Sequence, residues 1–409
     1  MTTTIDNEQK TLNVPNLRFP EFEGEWEKKR LGDFTERVKR KNKYNLSKLP
    51  LTISAKYGLV DQITFFNKIV ASTDMSNYYL LKKGEFAYNK SYSNDYPWGA
   101  IKRLDNYEQG VLSALYICFA TQDNVESDFI LQYFESPKWH KSVSEIAVEG
   151  ARNHGLLNIS VQDFFQTYHY VPKEKKEQTK IATLLYLIDE RISTQNKIIE
   201  DLKKLKCAII ENVLNNCHDN KMRLGDVGIY IRGLTYSSKD VVEQKGTIVM
   251  RSNNIVSGGM LDYCNNIVRV NKQILQEQQL QNGDVVICMA NGSSALVGKT
   301  SFYDGKCLSP ITVGAFCGIY RSKKPITKWL FQTNRYHRNI WNSLQGGNGA
   351  IANLNGEDIL RMSFPTPDKS TIGHCIKLLS SLDLLIKNNV SLYAMFSQQK
   401  EYLLQQMFI

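Results

Sequence analysis

The tetrapeptide Arg30-Leu31-Gly32-Asp33 recurs 193 positions later as Arg223-Leu224-Gly225-Asp226. Other short matches follow in the same order, at offsets between 193 and 199 residues. They pair Lys83-Gly84-Glu85 with Asn282-Gly283-Asp284, Leu112-Ser113 with Leu308-Ser309, Asn158-Ile159-Ser160 with Asn353-Leu354-Asn355, Pro172 with Pro367, and Asp189 with Asp383. Offsets that vary by a few residues are expected when insertions fall in the loops of a duplicated unit. The chain therefore contains one module twice.

A long apolar stripe follows each copy of the module. From about residue 174 to 214, and again from about 370 to 408, apolar residues recur in steps of three and four, with charged residues between them. This spacing predicts the seam of a coiled coil, with Leu205 also on the first stripe. The predicted seam residues are Ile181, Leu185, Ile188, Ile192, Ile199, Leu202, Ile209, Leu379, Leu382, Ile386, Tyr393, Phe396 and Leu403.

A helix of roughly 40 residues is about 60 Å long, and a continuous apolar stripe along it needs a partner. Both stripes have nearly the same length and follow equivalent modules. We therefore expect the two helices to pair with each other in antiparallel orientation. The alternative is that each helix dimerises independently with another chain.

Length and composition favour two packed domains with connecting helices. The chain has 409 residues, of which 42% are apolar and 11% aromatic, enough for two cores and too many for a disordered chain. Short strand-like runs separated by turn residues predict mixed α+β domains. No apolar run reaches the ~18 residues of a membrane helix, and the first residues do not resemble a secretory signal. We expect a cytoplasmic protein.

Motifs of the common catalytic sites are not found in the sequence. The eight cysteines include no Cys-x-x-Cys pair, so we expect free thiols and no zinc site. No Walker-type phosphate loop, HExxH helix, nucleophile elbow or deaminase signature is present. Asp240, Glu243 and Lys245 superficially resemble a nuclease set, but they are too close in sequence to lie on separate strands. We expect a chain that is not catalytic by itself and holds neither metal nor cofactor.

Charge points to a polyanionic partner. The net charge is +10, and residues 219–367 hold 17 Lys and Arg against 10 Asp and Glu. Residues 17–172 are nearly balanced, with 20 against 19, but contain a local basic run at 37–43. Phosphate neutralisation with release of counterions drives much of nucleic-acid binding. A solvated surface loop is the alternative reading of such a run.

Polar and aromatic loops occur at corresponding places in both copies while their residues differ. Asn pairs well with adenine, Arg and Lys with guanine, and Ser with base edges or phosphates. The predicted DNA-binding residues are Lys39, Arg40, Lys41, Lys43, Tyr44, Lys56, Tyr57, Asn89, Lys90, Ser91, Tyr92, Ser93, Arg152, Asn153, His154, Arg232, Arg251, Asn253, Asn254, Asn291, Ser293, Ser294, Lys299 and Asn348. Two copies with unlike loops suit the reading of two different sequences.

The chain resembles the specificity subunit of a type I restriction–modification system over nearly its whole length. The resemblance rests on residues 17–33 (LRFPEFEGEWEKKRLGD), on the repeated Arg-Leu-Gly-Asp, and on the junction between the first module and its helix. At that junction Pro172 is followed by Glu177-Gln178, Ile181-Ala182, Leu185, Asp189 and Ile192.

The resemblance implies an α+β fold in which two similar target-recognition domains are joined by two long antiparallel coiled-coil helices, as a pseudo-twofold internal repeat. The expected segments are a flexible N-terminal segment at 1–16, domains at 17–172 and 219–367, a central helix at 173–218 and a C-terminal helix at 368–409. Each domain would read half of a bipartite DNA site, and the helix pair would set the unread spacer. A helix pair of about 60 Å exceeds one B-DNA turn of about 34–36 Å.

The resemblance also implies partners and their cofactors. Two modification subunits, which use S-adenosylmethionine to methylate adenine, would dock on this chain. Restriction subunits, which use ATP and Mg²⁺, would join them on double-stranded DNA. The second junction departs from the family, since it lacks the Glu-Gln pair and has Gly373 early in the helix, where Gly costs up to ~1 kcal/mol against Ala. The other readings are a fused methyltransferase–nuclease with diverged catalytic motifs and a coiled-coil protein scaffold.

Overall fold

A computed structural model describes residues 12–54, 57–68, 71–93, 95–147, 155–217, 220–256, 259–344 and 352–409. The chain divides into two compact units. The first unit comprises Met1–Thr194 with Tyr393–Ile409, and the second comprises Gln195–Leu392. None of the helices in the described ranges combines the length and apolarity needed to cross a membrane.

Where it is described, the first unit contains ten strands and five short α-helices, followed by the first half of a long helix. Its strands are β1 (Glu27–Arg30), β2 (Thr35–Arg37), β3 (Leu51–Ser54), β4 (Gly58–Asp61), β5 (Tyr79–Lys82), β6 (Phe86–Asn89), β7 (Ala100–Arg103), β8 (Gln109–Leu112), β9 (Ile117–Thr121) and β10 (Tyr168–Val171). Its helices are α1 (Leu31–Phe34), α2 (Gln62–Phe66), α3 (Ser127–Glu135), α4 (His140–Ser144), α5 (Val161–Gln166) and the start of α6 (Lys175–Asn215).

An antiparallel sheet of order β2-β9-β6-β7 forms the centre of the first unit, with the pairs β1-β10, β3-β4 and β5-β8 beside it. Successive side chains of β6 and β9 point to opposite faces of the sheet. These two strands therefore contribute apolar side chains to two cores in the first unit. Phe86 and Phe119 stack at 5.3 Å in an aromatic cluster with Phe134 and Trp139. The C-terminal residues Met407 and Phe408 belong to the same cluster.

The second unit contains thirteen strands in its described segments, and a second long helix follows them. Its strands are β11 (Lys221–Arg223), β12 (Gly228–Arg232), β13 (Val241–Val242), β14 (Thr247–Met250), β15 (Gly259–Met260), β16 (Val268–Val270), β17 (Val285–Cys288), β18 (Ala290–Asn291), β19 (Thr300–Phe302), β20 (Ile311–Val313), β21 (Cys317–Ser322), β22 (Ala352–Asn353) and β23 (Ser363–Pro365). Its helices are α7 (Leu224–Val227), α8 (Thr327–Leu330), α9 (Asn334–Leu344), α10 (Gly356–Leu360) and the first part of α11 (Lys369–Gln406).

Two larger sheets organise the second unit. One has the order β12-β21-β17-β19-β15, and the other has the order β13-β16-β14-β20. Most neighbours are antiparallel, but β14 pairs with β20 and β15 with β19 in parallel. One core lies under these sheets around Ile248, Val286 and Ile319, and another surrounds Trp329 and Tyr336.

The repeated Arg-Leu-Gly-Asp has the same structural role in both units. Leu31 and Leu224 are fully buried, and each begins a four-residue helix directly after the first strand of its unit. A Cβ on Gly32 would lie 3.3 Å from the carbonyl oxygen of Phe165, and one on Gly225 would lie 3.1 Å from that of Leu360. Only glycine permits this close approach without a shift of the neighbouring backbone.

The end of each module is also repeated. Ser160 caps α5 by accepting from the Asp163 amide, and Asn355 caps α10 by accepting from the Asp358 amide. These are the residues matched in sequence, and short polar side chains are the usual caps. One sequence match is wrong, because Leu112 is fully buried in β8 whereas Leu308 is fully exposed. The parallel bridges Pro50–Val111 and Ile248–Ile311 place the true counterpart of β8 at β20.

The long helices bury most of the apolar stripe predicted from the sequence. The thirteen seam residues named above are all buried or half-buried. In the first unit Asp189 pairs with Lys400 and Arg191 lies over Phe396, so α6 and α11 run antiparallel there. Leu205 was wrongly placed on the stripe, since it is 49% exposed while its neighbour Lys206 is 2% exposed.

Side-chain hydrogen bonds stabilise the N-terminal ends of both long helices, α6 and α11, although the two sequences differ there. At the first junction, Gln178 donates to the carbonyl of Pro172 and accepts from the amide of Glu126. At the second junction Asp368 accepts from the hydroxyl of Ser370 and from the amides of Thr371 and Ser370, which lowers the pKa of its carboxyl. The absent Glu-Gln pair is thus replaced by an aspartate cap, and Gly373 lies within α11.

The N-terminal segment differs from its prediction where it is described. Residues 1–11 lie outside the described residues. Asn13 donates to the carboxylate of Glu25, and Asn16 donates to the side chain of Gln406. Residues 12–16 therefore have specific contacts, in contrast to the flexible segment expected at 1–16.

Candidate nucleic-acid interface

The basic run of the first unit separates into structural and exposed charges. The guanidinium of Arg40 contacts both carboxylate oxygens of Glu85, at 2.6 and 2.7 Å. Glu85 also accepts from the amide of Lys82 and so closes the turn at Gly84, whose φ is +85°. Lys41 donates to the carbonyl of Asn77 and lies 3.7 Å from the ring centre of Tyr79. Arg40 and Lys41 therefore hold the loop.

The second unit repeats this arrangement with other residues. Asp284 closes the turn at Gly283, whose φ is +90°, by accepting from the amide of Gln281. Arg321 contacts both of its carboxylate oxygens, at 2.9 and 2.7 Å. The Gly-acid match in the sequence is therefore a repeated arginine-braced turn, which supports assigning Arg40 a structural role.

The other predicted residues in and near the run face solvent where they are described. Lys39 and Lys43 are exposed, and Tyr44 is 94% exposed in the left-handed region, with a φ of +59°. Tyr57 is also exposed, at the turn between β3 and β4. Lys56 lies outside the described residues. These exposed cations and rings are suited to contact phosphates and bases.

The loop after β6 carries the second group of predicted residues. The side chain of Asn89 accepts from the amide of Ser91, so the strand ends in a tight turn. Ser91, Tyr92 and Ser93 beyond it are exposed. The Lys90 ammonium donates to the carbonyl of Ile159, which ties the loop to the segment before α5. Arg152, Asn153 and His154 lie outside the described residues.

In the second unit the structure brings three predicted residues together. The amide of Asn291 donates to the hydroxyl of Ser252, next to Arg251 and Asn253. Asn291 also accepts from the amide of Ser293, so its turn resembles that of Asn89. Ser293 and Ser294 are exposed beside it. Loops 251–254 and 290–294 therefore form one continuous surface.

Asn254 does not fit its prediction as a base-contacting residue. It is 1% exposed, its carbonyl oxygen accepts from the amide of Arg251, and its NH₂ group donates to the carbonyl of Asn265. Its amide group is therefore committed to the loop, and Asn254 positions Arg251 and Asn253 instead. Sequence alone does not distinguish a capping asparagine from an exposed one.

A cavity of about 490 Å³ opens beside these loops. Arg251 and Asn253 line it together with Tyr236, Ser237 and Phe316. The guanidinium of Arg251 donates to the carbonyl of Asn266, so the side chain is held in place. Phe316 is 69% exposed, and its carbonyl accepts from the amides of Met289 and Ala290. The structure thus adds Tyr236, Ser237 and Phe316 to the candidate surface.

The other predicted residues are less closely grouped. Arg232 is exposed on β12, and Lys299 is half-buried before β19. Asn348 lies outside the described residues. Burial raises the pKa of the Cys317 thiol to about 12, so this cysteine beside the cavity is a neutral apolar side chain. Among the described residues, no group of His, Cys, Asp and Glu is arranged to hold a metal ion.

The fold is that of the specificity subunits of type I restriction–modification systems. The crystal structure of the S subunit from M. genitalium matches with a TM-score of 0.56 and 14% identity, covering 97% of this chain and 99% of that one. A chain from a structural study of complex assembly and conformational transition of the type I system matches with a TM-score of 0.50 and 15% identity, covering 94% of this chain and 97% of that one. The predicted fold class is therefore confirmed.

Named relatives agree with this class. The chain is 32% identical over 132 residues to the type I restriction enzyme StySPI specificity subunit of Salmonella potsdam. It is 29% identical over 182 residues to the EcoKI specificity subunit of Escherichia coli. These matches cover 31% and 41% of this chain and only 27% and 36% of the relatives' lengths. No protein-family model matches the chain. The resemblance predicted from the sequence is confirmed.

Proposed function

We propose that this chain is the DNA-reading specificity subunit of a type I restriction–modification complex. Each unit carries one target-recognition domain that reads half of a bipartite site in double-stranded DNA. The observation that carries the proposal is the repeated framework with unlike loops. The arginine-braced turns and glycine contacts are the same in both units, while the exposed loop residues differ.

The loop chemistry supports DNA as the ligand. In the first unit, exposed lysines lie near exposed tyrosines on tight turns. In the second unit, Arg251 and Asn253 line a cavity beside the exposed ring of Phe316. Arginine recognises guanine and asparagine recognises adenine through paired hydrogen bonds, while lysine neutralises phosphate. The excess of 17 basic over 10 acidic residues at 219–367 adds attraction for phosphates that does not depend on sequence.

The long helices provide a surface for the modification subunits. Leu378, Leu385 and Leu392 lie seven residues apart on α11 and are 48, 45 and 39% exposed. Ile198 and Leu205 have the same spacing on α6 and are 41 and 49% exposed. Exposed apolar stripes on a helix pair suit the packing of further helices. The proposed partners are two modification subunits and, through them, the restriction subunits.

The chemistry of the complex belongs to these partners. S-adenosylmethionine is assigned to the modification subunits, and ATP and Mg²⁺ to the restriction subunits. The present chain is proposed to be non-catalytic and to work in the cytoplasm. Its contribution is to select the site and to hold the partners on it.

Methylation mapping tests the proposal. The chain is co-expressed with its modification subunit, and methylated adenines are located across the host genome. We expect one bipartite motif with two unlike half-sites and an unread spacer of fixed length. Methylation or cleavage by the purified chain alone would favour the enzyme reading. Complexes that form without any salt-dependent affinity for duplex DNA would favour the scaffold.

A further inference from the structure

Asp383 of α11 joins three elements in the second unit. One carboxylate oxygen accepts from the ammonium of Lys206 on α6 at 2.9 Å, and the other accepts from the indole N–H of Trp329 on α8 at 2.9 Å. The side chains of Lys206 and Asp383 are only 3% and 10% exposed, and Lys328 lies 3.7 Å away. A charged pair is thus buried among the mainly apolar residues of the seam.

Asp189 of α6 has the same position in the first unit. One carboxylate oxygen accepts from the ammonium of Lys400 on α11 at 2.5 Å, and the other accepts from the amide of Gln132 on α3 at 3.0 Å. Asp189 and Asp383 are 194 residues apart, and so are Lys206 and Lys400. Each copy of the repeat therefore contributes one aspartate and one lysine, and in each unit they pair across α6 and α11.

These pairs discriminate between helix registers, in addition to the apolar contacts that α11 makes in the core of each unit. A slip of seven residues preserves an apolar seam but would place Lys206 opposite Ile376 or Val390 in place of Asp383. An unpaired buried ammonium costs several kcal/mol. Gln195 adds a further polar contact in the second unit, where its side-chain amide donates to Asn389. Buried polar residues are known to specify register in coiled coils.

We propose that Asp189–Lys400 and Asp383–Lys206 are positioning pairs that fix the register of α6 against α11. They also fix where α3 and α8 pack on these two long helices. They thereby hold the unread spacer of the DNA site to one length. The proposal rests on the proposed function, in which the helix pair sets that spacer. A slip of seven residues moves a helix by about 10 Å, which is roughly three base pairs.

The two pairs differ in how they tolerate charge exchange. Gln132 is 3% exposed, and its buried side-chain oxygen has no hydrogen-bond partner among the described residues. If the charges at 189 and 400 are exchanged, the carbonyl of Gln132 can turn to accept from the introduced lysine. Trp329 offers only an N–H donor, which an ammonium at position 383 would oppose. Exchange is therefore expected to restore the first pair and not the second.

The test uses the whole complex with its modification subunit. Asp189→Lys, Lys400→Asp and the double exchange are compared in the first unit, with Lys206→Asp, Asp383→Lys and their double exchange in the second. Methylation is measured on duplexes whose half-sites are constant and whose spacers differ by up to about three base pairs in either direction. Lys204→Asp is the matched control, because Lys204 lies on α6 with its side chain 76% exposed.

Single reversals should raise methylation at altered spacers at least about tenfold relative to the original spacer, because they remove the penalty on slipped registers. The double exchange in the first unit should return the original spacer, and Lys204→Asp should change nothing. An unaltered spacer preference in single variants that assemble and methylate would overturn the proposal. The proposal would also be overturned if single variants lost methylation at every spacer length and the double exchange restored it at every length. That result would indicate a role in stability alone. Failure of the unmodified complex to methylate a bipartite site would instead contradict the proposed function.

Discussion

The two units share their framework and differ in what surrounds it. Both begin with a buried leucine and a closely packed glycine, both brace a Gly-acid turn with arginine, and both pair an aspartate with a lysine across the long helices. Among the described residues, the largest sheet has four strands in the first unit and five in the second. The comparison teaches that the duplicated residues are those which close the backbone and attach it to the helices. Strand number and loop chemistry varied around them.

The largest difference between the units is expected in local stability, where α3 and α8 contact the long helices α6 and α11. Trp329 is fully buried and donates to Asp383, whereas Gln132 donates to the partly exposed Asp189. Trp329→Ala should lower the local free energy of unfolding by about 3–5 kcal/mol, because it leaves a large cavity. Gln132→Ala should cost about 1 kcal/mol, the net value of one hydrogen bond. Hydrogen exchange of α8 and α3 amides measures both, and equal losses would refute the contrast.

The second largest expected difference between the units is the loss of local stability at low pH. His169 is buried between the hydroxyls of Tyr133 and Thr167, and burial lowers its pKa to about 3. The corresponding strand residue in the second unit is Phe364, which does not titrate. Because the folded pKa lies below the unfolded value of about 6.5, the stability that neutral His169 contributes is complete above that pH. It should fall by about 1.4 kcal/mol per pH unit as the pH drops toward the folded pKa.

Hydrogen exchange of β10 and β23, corrected for the intrinsic effect of pH, measures this difference between pH 7 and 4. His140 is half-buried in the first unit and His337 is exposed in the second, and desolvation lowers the pKa of both. Both therefore shift in the same direction as His169, and the comparison needs a variant that removes His169 alone. His169→Gln keeps a buried polar group that does not titrate and should abolish the excess acid sensitivity of β10. An equal response of the two strands in the unmodified chain would contradict the prediction.

Substitution of a base-contacting residue should change the free energy of discrimination between bases by about 1–3 kcal/mol, at one half-site only. Arg251 lines the cavity of the second unit, and Ser93 and Tyr92 are exposed on the loop of the first. Arg251→Ala should relax one position of one half-site, and Tyr92→Ala should affect only the other. Mapping of methylated adenines with each variant shows which half-site changes. A change in both half-sites from either substitution would refute the division of labour.

The sequence predicted the parts of the fold that depend on spacing. The repeat and the heptad-like stripes predicted two modules and two antiparallel helices. Contacts between distant loops were not predictable. The hydrogen bond of Asn291 to Ser252 and the exposure of Phe316 depend on how the sheets bring loops together. Lys206 was missed because a charged residue in a seam looks like a surface position until its partner Asp383 is placed.

The smallest expected effect distinguishes neighbouring charges of the basic run. Lys43 is exposed, whereas Arg40 braces the turn through Glu85. If Lys43 neutralises one phosphate, Lys43→Gln should weaken binding to all duplexes alike and reduce the slope of log K against log salt by about 0.9. Arg40→Gln should leave that slope unchanged and loosen the turn, seen as faster hydrogen exchange at Glu85. Titrations of the assembled complex at several salt concentrations measure the slopes. If Arg40→Gln lowered the slope and Lys43→Gln did not, the guanidinium would have to leave Glu85 for phosphate on binding, and the braced turn would be part of the interface in this unit.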